Sequence, residues 1–444
     1  MHPALLLPRL QGLSLSLVKS LAAHEKGLSQ VELLQRVGDG RSQSTFSREL
    51  KKLIDLGVVV KEGRTRDAKF SLSPEARWWA TNPVLRPKVA FDPERIASYV
   101  PNVTRWLPEN ANNRMNAARA QFSHQLDAST YSRQIAERFL IDLSWASSSL
   151  EGNTYDLLDT EVLIKYGDEA AGKDPREAAM ILNHKQAIAF MLENFESEPI
   201  DLALITSIHA FLMRDLLSPD RVGVIRNDDV RISGSSYRPS SDKVILSSTL
   251  GDLLWKASQV DDPYEASFMI LAGASYIQAF FDGNKRVGRL SCNLPLLKAG
   301  LPPLSFLSID KRSYISGLIS FYELGETELL AEAVASSYEE TTPQYAMATA
   351  AHRVPRRGEL HYRKRIDAAV RDFVDLIVGG EKPEPSDFAE RQFEDVPADD
   401  AAIAREALLN AITNLTSATA PLHGLSRDRF SEYETIQSAA TYGR

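Results

Sequence analysis

The amino-acid sequence predicts a mainly α-helical protein that begins with a small α+β domain. Two observations lead to this prediction. From about residue 93 to about residue 340, apolar side chains recur at the spacing of buried helices, whereas residues 13 to 73 combine three short helical segments with two short strand-like segments. The chain has 444 residues, 43% hydrophobic and 25% charged, which is typical of a folded protein of about three domains.

Charge, cysteine content and hydropathy exclude several classes of protein. Lys and Arg total 51 against 59 Asp and Glu, a net charge of −8, so any contact with nucleic acid must come from a local basic patch. The single cysteine, Cys292, excludes a disulfide framework and is typical of the reducing cytosol. The longest apolar stretch, Ala266–Phe281, is shorter than the roughly 18 residues of a transmembrane helix, and no signal peptide is evident. We expect a cytoplasmic protein without a membrane partner.

The N-terminal segment has start and stop signals for each of its elements. Ser42 or Ser44 can cap a helix and Gly57 can end it, while Gly63 favours a turn. The predicted elements are helices over Leu13–Ala23, Leu28–Val37 and from about Ser42 to Leu56, followed by strands over Val58–Val60 and Ala68–Leu72. This order resembles a winged helix-turn-helix domain, which we assign to residues 1–80.

Positive charge is concentrated in the last helix and hairpin of this domain. Between positions 41 and 69 there are eight basic residues against four acidic ones. In a winged helix the recognition helix enters the major groove of double-stranded DNA and a basic wing contacts phosphates. Two alternatives remain open: a winged helix that binds protein, and a charged hairpin that is only solvated. The predicted DNA-facing residues are Arg48, Lys51, Lys52, Lys61, Arg64 and Arg66.

Prolines mark the boundaries of the remaining domains. Four of them between positions 83 and 101 indicate a connecting region, after which the chain is predicted to be helical to about residue 340. From Pro343 onward, helices are expected at about 361–378 and 399–413, separated by Gly379, Gly380 and the acidic run Glu381–Asp400. The predicted domains are therefore 81–340 and 341–444.

A short polar loop between two apolar helices is the segment best suited to chemistry. Asp262 and Pro263 begin a helix that continues to Phe281, and a second apolar helix follows the stretch Asp282–Arg289. Glycine and a helix N-terminus in such a loop favour polyphosphate binding. Arg286 and Arg289 are three residues apart on one helical face, so both could grip the same anion, and Asp282 could hold magnesium. The alternative is a solvated basic turn.

These residues resemble a known family. Gln278–Arg289 is similar to the Fic signature, H-x-F-x-[DE]-G-N-[GK]-R-x-x-R, at every fixed position except the first. Ser147–Asn153 matches the inhibitory motif of the family, [ST]-x-x-x-E-[GN], and Gly223–Ile245 resembles the stretch that ends in its target-docking flap. The resemblance covers roughly residues 93 to 340.

The resemblance implies a helical Fic-like core that transfers AMP from Mg·ATP to a hydroxyl group of a target protein. By position, Asp282 would bind Mg²⁺, and Arg286 and Arg289 would hold the β and γ phosphates of ATP. Gly283, Asn284 and Lys285 would line the phosphate loop.

Gln278 stands where the family has its catalytic histidine. An amide can orient a hydroxyl group but cannot accept its proton at neutral pH. Loss of a general base typically costs about 10² to 10⁴-fold in rate, although phosphoryl transfer depends mainly on positioning and charge neutralisation. We therefore expect nucleotide binding with slow or absent transfer. Among the histidines, His209 lies in an apolar helix and is expected to be a core residue rather than a replacement base.

Ser147 and Glu151 belong to a helix whose apolar stripe is Ile135, Phe139, Leu143, Ala146 and Leu150. Glu151 lies at the C-terminal end of this helix, where the helix dipole disfavours a carboxylate unless a cation compensates. The resemblance identifies that cation as Arg289. The alternative is an exposed helix end.

A β-hairpin flap is predicted from two strand-like triplets around a polar loop. The triplets are Val230–Ile232 and Lys243–Ile245, and the loop between them is rich in serine. The candidate flap residues Val230, Ile232, Lys243 and Ile245 could bind an extended target segment by strand addition. An ordinary surface hairpin is the alternative.

Two functional hypotheses follow. The first is a Fic-family protein adenylyltransferase that binds Mg·ATP, is inhibited by Glu151 and is weakened by Gln278. The second is a DNA-binding transcriptional regulator whose Fic-like core senses nucleotide without transferring it. The intact loop and inhibitory motif favour the first, and Gln278 and the basic wing favour the second. The sequence leaves the target protein, the DNA site, the nucleotide preference and the oligomeric state open.

Overall fold

The computed structural model describes residues 2–38, 42–63, 68–120, 128–351, 362–417 and 419–442. It is mainly α-helical, with 64% helix and 4% strand, which confirms the predicted fold class. The chain divides into two compact units, Met1–Ala351 and His352–Arg444. No helix in the described ranges is both long and apolar enough to cross a lipid bilayer.

Residues 2–80, called the N-terminal domain below after the sequence prediction, contain the predicted helices and strands together with one additional strand. Its sheet has three antiparallel strands, with the short first strand, Leu28–Ser29, beside the third. Ser29 accepts from the backbone N–H of Glu32 as a helix cap, so residues 28 and 29 are extended and the second helix begins later than predicted. The helices are Pro3–Leu6, Gly12–Ala22, Gln30–Val37, Gln43–Asp55 and Pro74–Ala80, and the other two strands are Val59–Glu62 and Lys69–Leu72.

The connection to the helical core contains a fourth short strand. Val89–Ala90 pairs in parallel with Tyr237–Arg238, and the short helix Glu94–Ala97 follows. The core helices are Glu109–Ala120, Ala128–Leu150, Leu157–Tyr166, Pro175–Asn194, Leu202–Met213, Lys243–Ser258, Pro263–Ile277, Asn284–Ser291, Asn293–Lys298, Lys311–Leu324 and Glu328–Ala351.

The helix Pro263–Ile277 lies at the centre of this core and every one of its residues after Pro263 is buried. Asp262 caps it by accepting from two backbone N–H groups, as the sequence predicts. Gly273 lets the neighbouring helix approach closely, since a Cβ there would lie 2.5 Å from Leu253 Cδ1. The buried centre fixes the position of the loop that follows Ile277.

The predicted flap hairpin is wrong in its second strand. Lys243 and Ile245 lie in the first turn of the helix Lys243–Ser258, and Val230–Ile232 belongs to none of the strands among the described residues. Asp242 caps the helix by accepting from the N–H groups of residues 244 and 245. The triplet Lys243–Ile245 is too short for its sequence to distinguish a strand from the first turn of a helix. The cap formed by Asp242 favours the helix.

Glu323 joins the N-terminal domain to the helical core. Its side chain is fully buried, and its Oε2 accepts from Trp78 Nε1 at 2.8 Å and from Arg86 Nη1 at 2.9 Å. Its Oε1 accepts from Ser235 Oγ at 2.6 Å and from the N–H of Ser236 at 2.7 Å. One carboxylate therefore binds the last helix of the N-terminal domain, the connection and the loop that leads away from Val230–Ile232.

The second unit has its own apolar core. Its helices are Arg363–Val378, Pro385–Gln392, Ala398–Thr413 and Arg427–Tyr442, with a 3₁₀ turn at Ala420–His423. Phe373, Phe388, Phe393 and Leu408 are buried together. The acidic run 381–400 contains a helix that the sequence did not predict, and this helix begins at Pro385, a residue suited to a first helical position.

Candidate functional site

The loop after the central helix is held by its own side chains. Gln278 has a left-handed backbone with φ 52° and ends the helix, and Gly283, with φ 79°, begins the next one. Asn284 closes the loop, because its Oδ1 accepts from the N–H of Phe280 at 2.8 Å and its Nδ2 donates to the carbonyl of the same residue at 2.7 Å. The side chain of Asn284 thus shapes the loop.

His209 supports this loop from the core side. Its ring stacks on Phe280 with centroids 3.9 Å apart. Nδ1 accepts from the N–H of Gly223 at 2.9 Å, so Nε2 carries the proton and donates to the carbonyl of Asp282 at 3.1 Å. Burial, together with the charge of Arg286, lowers the pKa of His209 to about 4. This neutral, fully bonded ring is a core histidine, as predicted.

A cleft of about 170 Å³ opens over the loop. Its lining residues come from the end of the helix Ala128–Leu150, the segment 230–233, the loop itself with the start of the helix that follows it, and one position of the helix Lys311–Leu324. They are Glu151, Val230, Arg231, Ile232, Ser233, Gln278, Phe281, Asp282, Gly283, Asn284, Lys285, Arg286 and Tyr322. The structure therefore brings together the predicted residues Glu151, Gln278 and Asp282–Arg286, whereas Ser147 and Arg289 do not line the cleft.

Arg286 is a buried cation with unused hydrogen-bond donors. Its side chain is 4% exposed, and Nη2 donates to Asp282 Oδ2 at 2.9 Å. Its Nε and Nη1 have no partner among the described residues. Buried donors on a guanidinium normally find an acceptor, so an anion in the cleft would satisfy them.

Arg289 does not lie at the cleft beside Arg286. The prediction that both arginines reach one anion is therefore wrong for this conformation. Its side chain is completely buried and does not line the cleft. Nε donates to Ser147 Oγ at 2.9 Å, Nη2 donates to Glu151 Oε1 at 2.7 Å, and Nη1 lies 3.4 Å from the hydroxyl of Tyr314. Contacts with the helix Ala128–Leu150 and its end thus draw the guanidinium away from the cleft.

Glu151 is ionised in this arrangement. Burial alone would raise its pKa, but the positive charges of Arg289, Lys285 and Arg286 outweigh burial and lower the pKa to about 2. Lys285 Nζ lies 3.5 Å from Glu151 Oε2. The carboxylate at the helix end has the compensating cation that the sequence predicts, and a second one beside it.

Gln278 is fixed by its backbone and its side chain. Arg226 Nε donates to the carbonyl of Gln278 at 2.7 Å, and Gln278 Nε2 donates to the carbonyl of Ser275 at 2.6 Å. Because a carbonyl can only accept, the amide nitrogen occupies that position and the amide oxygen is the acceptor left on a side chain that lines the cleft. Such an oxygen can accept a hydrogen bond but cannot remove a proton.

The basic residues of the N-terminal domain lie apart from this cleft. Arg48, Lys51 and Lys52 are exposed on the helix Gln43–Asp55, and Lys61 is exposed on the second strand of the sheet. Lys51 pairs with Asp55 at 3.0 Å and Lys52 with Glu49 at 4.0 Å. Arg64 and Arg66 lie outside the described residues.

Three buried residues that contact predicted site residues were not themselves predicted. These are His184, Arg226 and Tyr314, which contact Ser147, Gln278 and Arg289 respectively. For His184 a signal exists, since it falls on the apolar stripe of its helix between Ile181 and Ile188 and is fully buried. A polar residue on such a stripe indicates a buried hydrogen-bond partner.

The segment that contains this loop matches the model of a known family. Residues 199–296, which include the loop and the two helices that it joins, match the model of the Fic/DOC family. This segment is a Fic/DOC family domain.

The chain is also similar in sequence to individual proteins. Over 249 residues the chain is 23% identical to the protein adenylyltransferase fic-1 of Caenorhabditis elegans, covering 54% of this chain and 48% of that protein. It is 28% identical over 171 residues to the protein adenylyltransferase Fic of Nematostella vectensis, covering 38% and 40%. The chain thus spans about half the length of the curated relatives it matches, or less. A solved Fic family protein from Desulfovibrio desulfuricans G20 has a TM-score of 0.48 at 19% identity, covering 73% of this chain and 89% of its own.

Proposed function

We propose that the Fic/DOC domain binds ATP with magnesium in the cleft over the loop 278–286. The observation that supports this most strongly is Arg286, whose buried Nε and Nη1 lack a partner among the described residues. The backbone N–H groups at the start of the helix Asn284–Ser291 and the ammonium of Lys285 add positive charge at the same place. This combination favours a polyphosphate over a singly charged ligand.

Asp282 fits a magnesium ion. Its side chain is 59% exposed at the cleft and retains lone pairs beyond its bonds to Arg286 and to the N–H of Gly283. Magnesium in nucleotide sites typically uses one or two carboxylates together with phosphates and water, so one carboxylate is sufficient. A bound Mg²⁺ would neutralise phosphate charge during transfer.

The reaction we propose is transfer of AMP to a protein hydroxyl, the activity for which the curated relatives are named. The hydroxyl oxygen forms a bond to the α phosphorus, the bond from that phosphorus to the bridging oxygen breaks, and pyrophosphate leaves. The hydroxyl proton passes to solvent water, because Gln278 can orient the hydroxyl but cannot accept its proton. We propose that transfer is slow for this reason.

Glu151 is proposed to inhibit the domain further. While its carboxylate holds Arg289 at 2.7 Å, that guanidinium is unavailable to the outer phosphate of a nucleotide in the cleft. ATP would then bind mainly through Arg286 and Lys285, in a pose that does not align the α phosphorus for attack. Val230 and Ile232, which line the cleft, are proposed to bind the target segment.

Calorimetry with Mg·ATP tests the binding proposal. The wild type should bind, and Arg286→Ala should weaken binding at least about tenfold because hydrogen bonds to charged groups contribute about 1.5–3 kcal/mol each. Arg312→Ala, an exposed arginine on the helix Lys311–Leu324, is the matched control and should bind as the wild type does. No Mg·ATP binding by the wild type, or equal binding by Arg286→Ala, would contradict the proposal.

A second candidate function is DNA binding by the N-terminal domain. It is supported by Arg48, Lys51 and Lys52 on the exposed side of the third predicted helix, with Lys61 on the adjoining strand. The local pairs with Asp55 and Glu49 reduce the charge that two of these lysines offer. In this proposal the Fic/DOC domain senses nucleotide and the N-terminal domain responds.

A further inference from the structure

Glu151 supplies only part of the restraint on Arg289. Ser147, one helical turn earlier, accepts two hydrogen bonds from the same guanidinium. Arg289 Nε donates to its hydroxyl oxygen at 2.9 Å and Nη2 donates to its backbone carbonyl at 3.2 Å. Both contacts would remain if the carboxylate of Glu151 were removed.

The hydroxyl of Ser147 is itself held by His184. Nδ1 of this ring lies 2.8 Å from the carbonyl of Met180, which can only accept, so Nδ1 carries the proton. Nε2 lies 2.9 Å from Ser147 Oγ, and in a neutral ring it must accept the hydroxyl hydrogen. Burial, and then the charges of Arg286 and Arg289, lower the pKa of His184 to about 3, so the ring stays neutral near neutral pH.

The consequence is a fixed direction for each hydrogen bond. Because the hydrogen of Ser147 points to His184, the lone pairs of the hydroxyl oxygen face the Nε–H of Arg289. A serine hydroxyl rotates freely when nothing orients it, and it could then present its hydrogen elsewhere. Replacing His184 would therefore weaken the hydrogen bond between Ser147 and Arg289, although His184 itself forms no hydrogen bond with Arg289.

We propose that His184 is a positioning residue that keeps Ser147 oriented as an acceptor for Arg289, so that a restraint independent of Glu151 holds this arginine out of the nucleotide cleft. The inference rests on the proposed function, since it supposes that the phosphates of a bound nucleotide compete for Arg289. It follows that Glu151→Gly alone releases Arg289 incompletely.

The test is a double-mutant cycle in the full chain carrying Glu151→Gly. Four proteins are compared by calorimetric titration with Mg·ATP: the Glu151→Gly parent and the same protein with Ser147→Ala, with His184→Leu, or with both. His184→Gln serves as the conservative variant, because its amide can donate to Met180 and accept from Ser147. Far-ultraviolet circular dichroism and thermal unfolding check that each protein is folded.

Ser147→Ala should tighten Mg·ATP binding several-fold to about tenfold relative to the parent, because a hydrogen bond to a charged group is removed from the competing state. His184→Leu should tighten binding by a smaller factor and should have no effect once Ser147→Ala is present. His184→Gln should bind as the parent does.

Nuclear magnetic resonance gives a second readout of the position of Arg289. The Nε–H resonance of Arg289 in ¹⁵N spectra should shift in His184→Leu and return to its parent position in His184→Gln.

Two results would overturn the inference, and they differ from failure of the proposed function. If the parent binds Mg·ATP but His184→Leu changes neither the affinity nor the Arg289 resonance, His184 does not act on Arg289. If the His184→Leu effect is equally large with Ser147→Ala present, it does not act through Ser147. If no variant binds Mg·ATP while all are folded, the proposed function fails and this inference fails with it.

Discussion

The guanidinium Nη2 of Arg289 donates to Oε1 of Glu151 at 2.7 Å, although the two residues are 138 positions apart in the sequence. This pair joins the end of the helix Ala128–Leu150 to the helix that follows the loop 278–283. The same contact that restrains Arg289 also keeps the carboxylate of Glu151 ionised, because the nearby positive charge outweighs the cost of removing the group from water. Removing either partner would leave the other as an unpaired buried charge, so the pair also matters for stability.

The stability of the protein should depend on pH through Glu151. Its pKa is about 2 in the folded protein against an ordinary value of 4.5, so its contribution is complete above about pH 4.5 and is lost as the pH falls toward 2. Glu151→Gln should remove about 3 kcal/mol of this pH dependence, measured by chemical denaturation between pH 7 and pH 2. Glu137→Gln, on the same helix with its side chain 69% exposed, is the control and should leave the profile unchanged. Equal profiles for wild type and Glu151→Gln would contradict this account.

Gly283 should be intolerant of a side chain. Its φ of 79° is left-handed, and a Cβ there would lie 2.7 Å from the sulfur of Met213. Gly167 has a similar φ of 81° with no atom within 4 Å of that position. Gly167→Ala should cost about 1–2 kcal/mol from backbone strain alone, whereas Gly283→Ala should cost about 1–3 kcal/mol more. Urea denaturation measures both, and equal losses would show that Met213 moves aside.

Glu323 should stabilise the contact between the N-terminal domain and the helical core. Glu323→Gln leaves Arg86 buried without a counter-charge, and we expect a loss of about 3–5 kcal/mol in the free energy of unfolding. Adding Arg86→Met should recover part of this loss, because the unpaired charge is then removed as well. A loss below about 1 kcal/mol for Glu323→Gln, or no recovery in the double variant, would contradict the assignment of Glu323 as a buried ion-pair centre.

DNA binding by the N-terminal domain should depend strongly on salt. Each phosphate contact releases counterions, so replacing Arg48 and Lys61 with alanine should weaken binding to genomic fragments and lower the slope of log K against log salt by about 2. Electrophoretic mobility shifts between about 50 and 200 mM salt measure this. Arg363→Ala, an arginine in the second unit, is a control that should behave as the wild type does. If the wild type shifts no fragment at low salt, the domain is reassigned to protein contacts.

Much of the fold was predictable because its signals are local. Asp262 caps the central helix, and Ser42 caps the helix Gln43–Asp55, as the sequence indicates. The strand assigned to Lys243–Ile245 was wrong because three residues are too few to distinguish the period of a strand from that of a helix. A polar side chain immediately before the triplet, Asp242, was the available signal.

The candidate site was predictable only in part. The loop residues lie together in sequence, so their common cleft follows from the spacing of Asp282 to Arg286. The separation of Arg286 from Arg289 depends on Ser147, 142 positions away, and on the burial of His184 and Tyr314. Long-range packing of this kind leaves no short-range pattern in a single sequence.

The most direct measurement is incorporation of label from [α-³²P]ATP into protein by four forms of the chain: wild type, Gln278→His, Glu151→Gly and the double variant. Histidine at position 278 supplies a proton acceptor, typically about 10² to 10⁴-fold in rate, and glycine at 151 removes one restraint on Arg289, so the two effects should be more than additive. We expect weak or absent labelling by the wild type and the strongest labelling by the double variant. A wild type that labels as fast as the double variant would contradict the account, and so would a double variant that binds ATP but labels no protein.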